Sequence, residues 1–459
     1  MFRDKDMQVA DRQTKKYYQA GAAPLLWVSR DGVRRDADSV VSYVMRVAGM
    51  GFDVQRFRVA DIKADIEKVR TLTWGDENIN TVCARLEYNL TKAYLRYCIG
   101  QRTGYTSPSR LFNRLDIHDS DSVHVSYQTL FDMHVKTAGP AFTACALRQI
   151  GHDSAAVFMR ASEPRSRLYR LLQARLAATR NAAERMRIMV NMERCRWDAG
   201  TQPGDQDKYV LLNIPSQELD AIDGDKRLTM RVVCGSMKTK TPLLYSNIER
   251  IDINPQWIMP RSIVKKSVAH HAGNTAYFES RRYFIMERKT GKTVSPAAVT
   301  PQMLTSGDYL VIQKGGKGNA LGRMIFRFKN NLSVYLHDTS NPGLFSSSDR
   351  LASHGCVRVQ RPYDLAAFLL GDSDEQLLER IRYSVTADLA DEGAGGGDDQ
   401  GTRTPLDKSR LIRSAAVKPA VPLFITYYTL YKSADGALVS YPDIYGYDRV
   451  VAEALKLYM

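Results

Sequence analysis

The first 180 residues carry apolar side chains at helical spacing. Val40, Val41, Val44 and Val47 recur at short intervals before Gly49 and Gly51. This period of about 3.6 residues predicts an amphipathic helix that ends at the glycines. Two later stripes have the same period, and the first of them is followed by a glycine that we expect to end its helix: Val82, Leu86, Leu90 and Tyr94 before Gly100, and Leu168, Leu171, Leu172 and Leu176. We therefore predict a helical domain over residues 17–180.

Polar stretches border this domain on both sides. Residues 1–16 are predicted as a disordered or polar segment, because they contain few apolar side chains. Residues 181–207 are predicted as a linking helix. The basic face that runs from the end of the helical domain into this helix is interpreted as solvated rather than as a nucleic-acid-binding surface: Arg180, Arg185, Arg187, Arg194 and Arg196.

From Lys208 onward the pattern changes to short apolar or alternating runs bounded by Gly, Pro, Asn and Asp. The runs, each typical of a β-strand, are YVLLNIP, LTMRVVCG, YFIME, DYLVIQ, MIFRFKN and SVYLHD. RPYDLAAFLLG predicts one helix that begins near Pro362 and ends at Gly371. Residues 391–405 are rich in Gly and Asp and predict a flexible loop, and the turn at Asp435-Gly436 predicts a hairpin.

The predicted fold class is therefore α+β and multidomain. A helical N-terminal domain precedes a mainly β domain, with a mixed, sandwich-like sheet, over residues 208–459. At 459 residues with 44% hydrophobic side chains, the chain is long enough for two or three domains that bury real cores.

Charge and composition narrow the function classes. The net charge of +15 suits a polyanionic partner such as nucleic acid, anionic lipid or an acidic wall polymer, or else only solvates the surface. No apolar run approaches the ~18 residues that a transmembrane helix needs, and the polar opening segment lacks the apolar core of a signal peptide. The six cysteines form no CxxC pair, so a structural zinc site of the usual spacing is not predicted.

Candidate chemistry lies in the segment SVYLHDTSNPGLFSSSDRLASHGCVRV. His337 ends an apolar run, and His354, Gly355 and Cys356 follow further along. An imidazole within reach of a thiol removes its proton and stabilises the thiolate, and glycine permits a tight turn whose N–H groups face an oxyanion. Two alternatives remain at this point. In the first, His337 is a hydrogen-bonded core histidine and the SHGC loop has no function. In the second, His337, His354 and Cys356 bind zinc, although no fourth ligand is obvious.

The spacing from His337 to Ser353-His354-Gly355-Cys356 resembles the signature of L,D-transpeptidases with a YkuD-type catalytic domain. Four runs extend the resemblance to the large, scaffold-bearing, YcbB-like branch of that family: KYVLLNIPSQELDAI, RVVCGSMKTKTPLLYSNIERIDINPQWIMPRSI, GKGNALGRMIFRF and FITYYTLY with DIYGYD. The segments APLLWV and MVNMERCRW resemble the branch's scaffold domain more loosely. The resemblance covers nearly the whole chain, most strongly from about residue 186.

The resemblance implies catalytic roles for four residues of the signature. Cys356 would be the nucleophile and His337 its general base. His354 would orient the loop or line the oxyanion site, where Gly355 and Cys356 would supply backbone N–H groups. It also implies that Arg358 holds a carboxylate of the stem peptide bidentately, with a structural salt bridge as the alternative.

Further residues are expected around this centre. Tyr335 and Trp257 match aromatic positions that line the family's cleft, with plain core packing as the alternative, and Ser353 is expected to contact substrate. Asn319 and Gly322 resemble tight-turn residues that support the site.

Two departures from the branch stand out. The short interval before MVNMERCRW leaves no room for the branch's peptidoglycan-binding module, which is therefore predicted to be missing. Residues 262–313 correspond to a capping insertion, and their sequence is the least similar to the family.

The resemblance implies a peptidoglycan L,D-transpeptidase. Cys356 would form an acyl-enzyme on a tetrapeptide stem, release D-Ala and make 3→3 cross-links. Water as acceptor would make the protein an L,D-carboxypeptidase, and a silent wall-binding protein is the non-enzymatic alternative. No metal or organic cofactor is expected. The expected partners are donor and acceptor stem peptides, with other wall-synthesis proteins as further candidates, and no nucleic acid. The expected location is the periplasm or cell envelope, reached by an export signal outside this chain.

Overall fold

The structure is a computed structural model that describes residues 8–19, 24–120, 125–371, 374–387, 406–433 and 435–459. The chain forms two compact units. The first contains residues 1–205 together with 427–459, and the second contains residues 206–426. The loop predicted at 391–405 lies outside the described residues. Among those that are described, no helix is both long and apolar enough to cross a bilayer.

Residues 8–205 are mainly helical, as predicted. The helices are α1 (Val9–Gln19), α2 (Asp36–Met45), α3 (Val59–Thr71), α4 (Ile79–Thr103), α5 (Pro108–Phe112), α6 (Pro140–Gly151), α7 (Ala155–Ser162), α8 (Arg167–Ala178) and α9 (Ala182–Arg196). The short strands are β1 (Val28–Ser29), β2 (Gly32–Val33), β3 (Ile117–Ser120), β4 (Val125–Tyr127) and β5 (Phe131–Asp132).

The predicted apolar stripes form the core of this unit, with one difference at a helix end. Val82, Leu86 and Leu90 are all fully buried on α4. The helix continues past Gly100 to Thr103, although the sequence predicted that it ends at the glycine. A Cβ on Gly100 would lie 2.2 Å from Cε1 of Tyr105. This glycine therefore serves close packing rather than termination.

The polar segment at the start is helical where it is described. Helix α1 begins at Val9, and its Asp11 accepts hydrogen bonds from the guanidinium of Arg96 at 2.8 and 2.9 Å. The ion pair is mostly buried. The segment was predicted as disordered or polar, and long-range pairing of this kind makes its described part helical.

The basic face predicted as solvated on α9 is only partly so. Arg194 and Arg196 are both buried. Arg194 Nη1 donates to Asp448 Oδ1 at 2.6 Å, and Arg196 Nη1 lies 3.2 Å from Glu193 Oε2. The prediction was wrong for these two residues, because Asp448 compensates the charge of Arg194 and Glu193, on the same helix, compensates that of Arg196.

Residues 206–426 contain two further sheets. Their strands are β6 (Lys208–Asn213), β7 (Glu218–Asp223), β8 (Lys226–Gly235), β9 (Leu243–Ile253), β10 (Trp257–Ile258), β11 (Tyr283–Glu287), β12 (Thr293–Val294), β13 (Tyr309–Gln313), β14 (Met324–Phe328), β15 (Leu336–His337), β16 (Leu351–Ser353), β17 (Val357–Val359) and β18 (Ser414–Thr426). Their helices are α10 (Arg261–Ser267), α11 (Thr275–Ser280), α12 (Pro301–Ser306), α13 (Pro362–Leu370) and α14 (Glu375–Thr386).

The main sheet of this unit is mixed and closes on itself. Its order is β14-β15-β17-β8-β7-β6-β18-β9, and β14 also pairs with β9. The β15–β17 and β6–β18 pairs are parallel, whereas the other pairs along this order are antiparallel. Leu336 and Val357, on adjacent strands, are fully buried on one face. Since side chains alternate along a strand, the neighbouring residues project from the opposite face.

Residues 257–313 form a subdomain with its own sheet, in the order β10-β13-β11-β12. A separate apolar cluster packs against this sheet: Met259, Val264, Val268, Phe278, Ile285, Val299, Leu304 and Val311. The predicted capping insertion at 262–313 lies entirely within this subdomain. Its expected placement above the cleft stays a prediction.

Residues 427–459 belong to the helical unit, although the sequence assigned them to the domain at 208–459. They contain β19 (Leu430–Lys432), β20 (Leu438–Ser440) and α15 (Tyr447–Leu455), and the two strands pair as the predicted hairpin. Asn191 of α9 donates to Thr429 Oγ1 at 2.8 Å, and Tyr458 lies in an aromatic cluster with Phe52. The chain therefore returns to the helical unit after β18.

Candidate active site

Two adjacent strands, β15 and β17, bring the candidate residues to one face of the main sheet. His337 on β15 pairs with Arg358 on β17, and it also pairs with Ile325 on β14. The same register places Cys356, immediately before β17, beside Tyr335, whose carbonyl accepts from the Val357 N–H at 3.1 Å. Cys356 is therefore directly opposite Tyr335 and diagonal to His337. All of these side chains project away from the buried Leu336–Val357 face.

The Cys356 thiol is half-buried and faces a backbone carbonyl. Its Sγ donates to the Ser333 carbonyl at 3.7 Å, and Ser333 has a left-handed backbone with φ +54°. Burial raises the pKa of the Cys356 thiol above its usual value. The Tyr335 N–H and the positive charges of Arg358 and Arg327 act in the opposite direction on this pKa. No hydrogen bond joins the thiol to the His337 ring in the part of the chain that the structure describes.

His337 is 4% exposed, and its ring is oriented by the backbone. Nδ1 lies 2.5 Å from the Asp338 carbonyl, which can only accept, so Nδ1 carries the proton in the neutral ring. Burial, and then the nearby charge of Arg358, lower the pKa of His337 to about 4, against the opposing effect of the Asp338 and Leu321 carbonyls. The imidazole is therefore neutral at physiological pH, as a proton acceptor must be.

Ser353 organises the loop that presents the thiol. Its buried hydroxyl donates to the Cys356 carbonyl at 2.5 Å and accepts from the Gly355 N–H at 3.1 Å. Gly355 has φ +110°, a conformation that L side chains rarely adopt. The Gly355 N–H is thus already engaged, whereas the Cys356 N–H donates to no other group among the described residues. Cys356, rather than Gly355, carries the free donor of the expected oxyanion site.

Two family models and a curated relative match this chain. Residues 207–389 match the L,D-transpeptidase catalytic domain family YkuD, and residues 12–176 match the scaffold domain family. The chain carries a YkuD L,D-transpeptidase catalytic domain behind a scaffold domain. A protein of Haemophilus influenzae named "Putative L,D-transpeptidase" is 29% identical over 244 residues. The match covers 53% of this chain and 45% of that relative, so it spans about half the relative's length.

The connection between β8 and β9 of the L,D-transpeptidase domain braces the loop of Cys356. Buried Thr241 accepts from the Gly235 N–H at 2.8 Å and donates to the Gly355 carbonyl at 3.0 Å. Thr239 Oγ1 and the Ser236 N–H both donate to the Ser353 carbonyl, at 2.8 and 3.0 Å. The sequence analysis did not predict a role for these residues. The hydrogen-bond partners of the hydroxyl groups in KTKTP are distant in sequence and are brought close only by strand pairing.

The turn before β14 packs against Asp338, the residue that follows the general-base candidate His337. Buried Asn319 accepts from the Leu321 N–H at 2.8 Å. Gly322 has φ +67°, and a Cβ there would come within 2.4 Å of the Asp338 side chain. Asp338 in turn accepts from the Arg323 N–H at 2.7 Å. The geometry fits the supporting role expected for Asn319 and Gly322.

His354 and Trp257 lie outside this network. His354 is exposed, and its ring makes no hydrogen bond within the described part of the chain. Trp257, on β10, packs half-buried against the apolar cluster of the 257–313 subdomain. Among the described residues, no hydrogen bond or ring contact joins either side chain to Cys356 or His337.

Arg358 brings a positive charge to the site without a compensating carboxylate. The guanidinium is half-buried, its Nε is buried with no hydrogen-bond partner, and it forms no ion pair with any described residue. Burial lowers the Arg358 pKa from its usual value, and the adjacent Cys356 opposes this effect. The salt-bridge alternative therefore has no support in the described part of the chain.

The site offers no metal-binding cluster in the described residues, where no three His, Cys, Asp or Glu side chains converge. The zinc alternative considered for His337, His354 and Cys356 also conflicts with the exposed position of His354 and the engaged Nδ1 of His337. What the arrangement can do is pair a thiol with a neutral imidazole beside an unpaired guanidinium.

Proposed function

We propose that this protein is a peptidoglycan L,D-transpeptidase that forms 3→3 cross-links through a Cys356 acyl-enzyme. The observation that carries the proposal is the position of Cys356, His337 and Arg358 on one face of the paired strands β15 and β17. The YkuD family match adds the reaction class. Since the substrate is wall polymer, the proposed place of action is the periplasm or cell envelope.

In the first step, the Cys356 sulfur attacks the carbonyl at the L-centre of the third stem residue. The thiol proton passes to His337, which then gives it to the departing amine of D-Ala. A thioester forms and a peptide bond breaks. In the second step, an amine of a neighbouring stem attacks the thioester, its proton returns through His337, and the thiol is restored.

The resting thiol must turn before it reacts. The Cys356 thiol donates a hydrogen bond to the Ser333 carbonyl, and His337 lies on the neighbouring strand, diagonal to Cys356 on the same face of the sheet. Catalytic hydrogen bonds are often absent or long in free enzymes and tighten when substrate binds. We infer that stem binding displaces the thiol from Ser333 and directs it to Nε2 of His337, the nitrogen that the Asp338 carbonyl leaves unprotonated.

Arg358 is proposed to hold a stem carboxylate. A guanidinium binds a carboxylate through two parallel hydrogen bonds, and a buried charge without a partner is costly unless a ligand compensates it. The same positive charge stabilises the anion that develops when the thiol is deprotonated. Tyr335, directly beside Cys356, is proposed to line the donor side of the site.

The test is incubation of the purified chain with a disaccharide tetrapeptide, followed by mass spectrometry of the products. We expect a 3→3 linked dimer and free D-Ala. Cys356→Ala should form neither product, whereas Cys234→Ala should form both, because Cys234 is fully buried on β8. Burial also raises the Cys234 pKa to about 12, which keeps that thiol unreactive.

The alternative functions give different products in the same experiment. Tripeptide with free D-Ala and no dimer would identify an L,D-carboxypeptidase. A folded protein that binds the stem and releases nothing would be a silent wall-binding protein. Unchanged dimer formation by the Cys356 variant would contradict the assigned nucleophile.

A further inference from the structure

The peptide group that joins Gly355 to Cys356 is held from one side by a buried threonine. Thr241, on the connection between β8 and β9, is fully buried, and its hydroxyl donates to the Gly355 carbonyl at 3.0 Å. The same hydroxyl accepts from the Gly235 N–H at 2.8 Å. Because a peptide N–H can only donate and a carbonyl can only accept, these two bonds fix the direction of the hydroxyl hydrogen. The Gly355 carbonyl therefore points towards the β8–β9 connection.

The direction of this carbonyl determines where the Cys356 N–H points. A trans peptide group is planar, and its C=O and N–H point in opposite directions. With the Gly355 carbonyl bonded to Thr241, the Cys356 N–H projects away from the β8–β9 connection, and none of the residues that the structure describes accepts it. An N–H in this position can donate to an oxyanion that forms at the thiol.

The residues on either side of this peptide group leave it able to turn over. The Ser353 hydroxyl bonds the two neighbouring peptide groups, through the Gly355 N–H and the Cys356 carbonyl, and makes no bond to the group between them in the described chain. Gly355 has no Cβ to oppose rotation about its ψ angle. In the turned state a carbonyl oxygen would replace the N–H and would repel developing negative charge. The bond from Thr241 opposes this rotation.

We propose that Thr241 is a positioning residue, which holds the Gly355–Cys356 peptide group in the orientation that acyl transfer requires. The inference rests on the proposed function for its stem substrate, but the same orientation would serve any acyl group that reaches the thiol.

The acylation step shows what this orientation contributes. The Cys356 sulfur forms a bond to the carbonyl carbon, the π electrons move to the carbonyl oxygen, and the Cys356 N–H donates to that oxyanion. When the intermediate collapses, the carbonyl re-forms and the bond to the leaving amine breaks. His337 supplies the proton of the amine. Thr241 touches none of the reacting atoms and acts only through the peptide group.

Three substitutions separate the orienting bond from general support of the loop. Thr241→Val keeps the shape of the side chain and removes its hydroxyl, whereas Thr241→Ser keeps the hydroxyl and removes a methyl group. Thr239→Val is the matched control, because the Thr239 hydroxyl donates to the Ser353 carbonyl at 2.8 Å, two peptide groups before the one that Thr241 holds. If Thr241→Val does not fold, Thr241→Ala takes its place, since it leaves space for water to bond the freed groups.

The experiment uses two reagents that react with the same sulfur. p-Nitrophenyl acetate acylates a thiol through a tetrahedral oxyanion, whereas iodoacetamide alkylates it at a saturated carbon, where no oxyanion forms. Mass spectrometry of the peptide that contains Cys356 measures both rates. D-Ala release from a tetrapeptide stem is measured in parallel, with kcat and KM determined separately.

Thr241→Val should lower kcat for D-Ala release by about ten- to a hundred-fold, approaching the loss of an oxyanion donor itself, with little change in KM. It should also slow acylation by the ester. The rate of alkylation should be unchanged, because the thiol itself is not altered. Thr241→Ser should recover most of the activity, and Thr239→Val should cause a much smaller loss than Thr241→Val.

Other results overturn the inference. Unchanged D-Ala release and acylation in Thr241→Val would show that the hydroxyl does not orient the peptide group. Equal slowing of acylation and alkylation, or an equal loss in Thr239→Val, would show that Thr241 supports the thiol or the whole loop. If Thr241→Ser is as slow as Thr241→Val, the hydroxyl is not the group that matters. If the wild type releases no D-Ala, the proposed function fails, and the ester and iodoacetamide rates still decide the role of Thr241.

Discussion

Two arginines, one buried in the helical unit and one half-buried in the catalytic domain, differ in how their charge is compensated. In the helical unit, Arg196 lies against Glu193 at 3.2 Å, donates to the Tyr169 hydroxyl at 3.0 Å and lies over three aromatic rings. In the catalytic domain, Arg358 is half-buried beside Cys356 and forms no ion pair with any described residue. The charge of Arg196 is compensated within the fold, whereas the charge of Arg358 is available to a bound ligand.

This contrast distinguishes a structural charge from a functional one. Removing one partner of a buried pair leaves the other uncompensated, so a paired arginine is needed for stability. An unpaired arginine costs stability and persists where a ligand or a reaction intermediate uses it. The helical unit should therefore lose stability when its buried charges are changed. The site should instead lose activity and keep its fold.

The largest effect is expected at His337. His337→Ala should lower turnover by ~10²-fold or more, because it removes the positioned proton acceptor. In the wild type, activity should persist as the pH falls and be lost near pH 4, since the His337 pKa is about 4 and the ring must be neutral to accept a proton. Steady-state D-Ala release from pH 3.5 to 8 measures both effects.

His354→Ala is the matched control for this prediction. The exposed ring makes no hydrogen bond within the described residues, so its loss should change turnover only a few-fold. A His354 variant as inactive as the His337 variant would mean that substrate binding brings His354 into the reaction.

Arg196→Gln should destabilise the helical unit by about 3–5 kcal/mol, because it leaves the buried Glu193 carboxylate without its cation. Urea unfolding of the full chain measures the change. Arg175→Gln is the control: it breaks the exposed pair with Glu184, which should change the free energy of unfolding much less, because solvent screens that pair. Equal losses in the two variants would show that burial does not decide the value of these pairs.

Arg358→Gln should lower activity and leave the stability of the fold unchanged, the reverse of the effect expected for Arg196→Gln. We expect a fall in kcat/KM of about ten-fold or more, the scale of a lost charged hydrogen bond to substrate, with no loss of thermal stability. Paired measurements of D-Ala release and the unfolding midpoint test this. A strongly destabilised Arg358 variant would contradict the functional interpretation of its unpaired charge and would make it structural, like Arg196.

The smallest expected effect is on thiol reactivity. Burial raises the Cys356 pKa, so the resting thiol is protonated at neutral pH, and alkylation by iodoacetamide should keep accelerating above the ordinary thiol value of 9.0. Arg358→Gln should move the midpoint to still higher pH, since Arg358 favours the thiolate. Labelling of Cys356→Ala gives the background from other cysteines. A midpoint well below 9.0 would indicate a resting thiolate–imidazolium pair instead.

The sequence alone predicted the local features of this protein. Apolar periodicity predicted the helical domain and most strands, because burial of a helix stripe or a strand face imposes a short repeat. The SHGC segment and its distance from His337 predicted the candidate nucleophile and base, because a short motif and the end of an apolar run are both readable in the sequence. Gly355 and Gly322 were predicted at turns, and both have positive φ.

Only the tertiary structure decided which distant residues meet. The closed sheet depends on β14 pairing with both β9 and β15. The hydrogen bond from Thr241 to the Gly355 carbonyl, 114 positions away, depends on the pairing of distant strands, which no single segment encodes. The buried state of Arg194 depends on Asp448, more than 250 positions away. Sequence periodicity reports which face of an element is buried, but the partner that satisfies a buried charge is chosen by long-range packing.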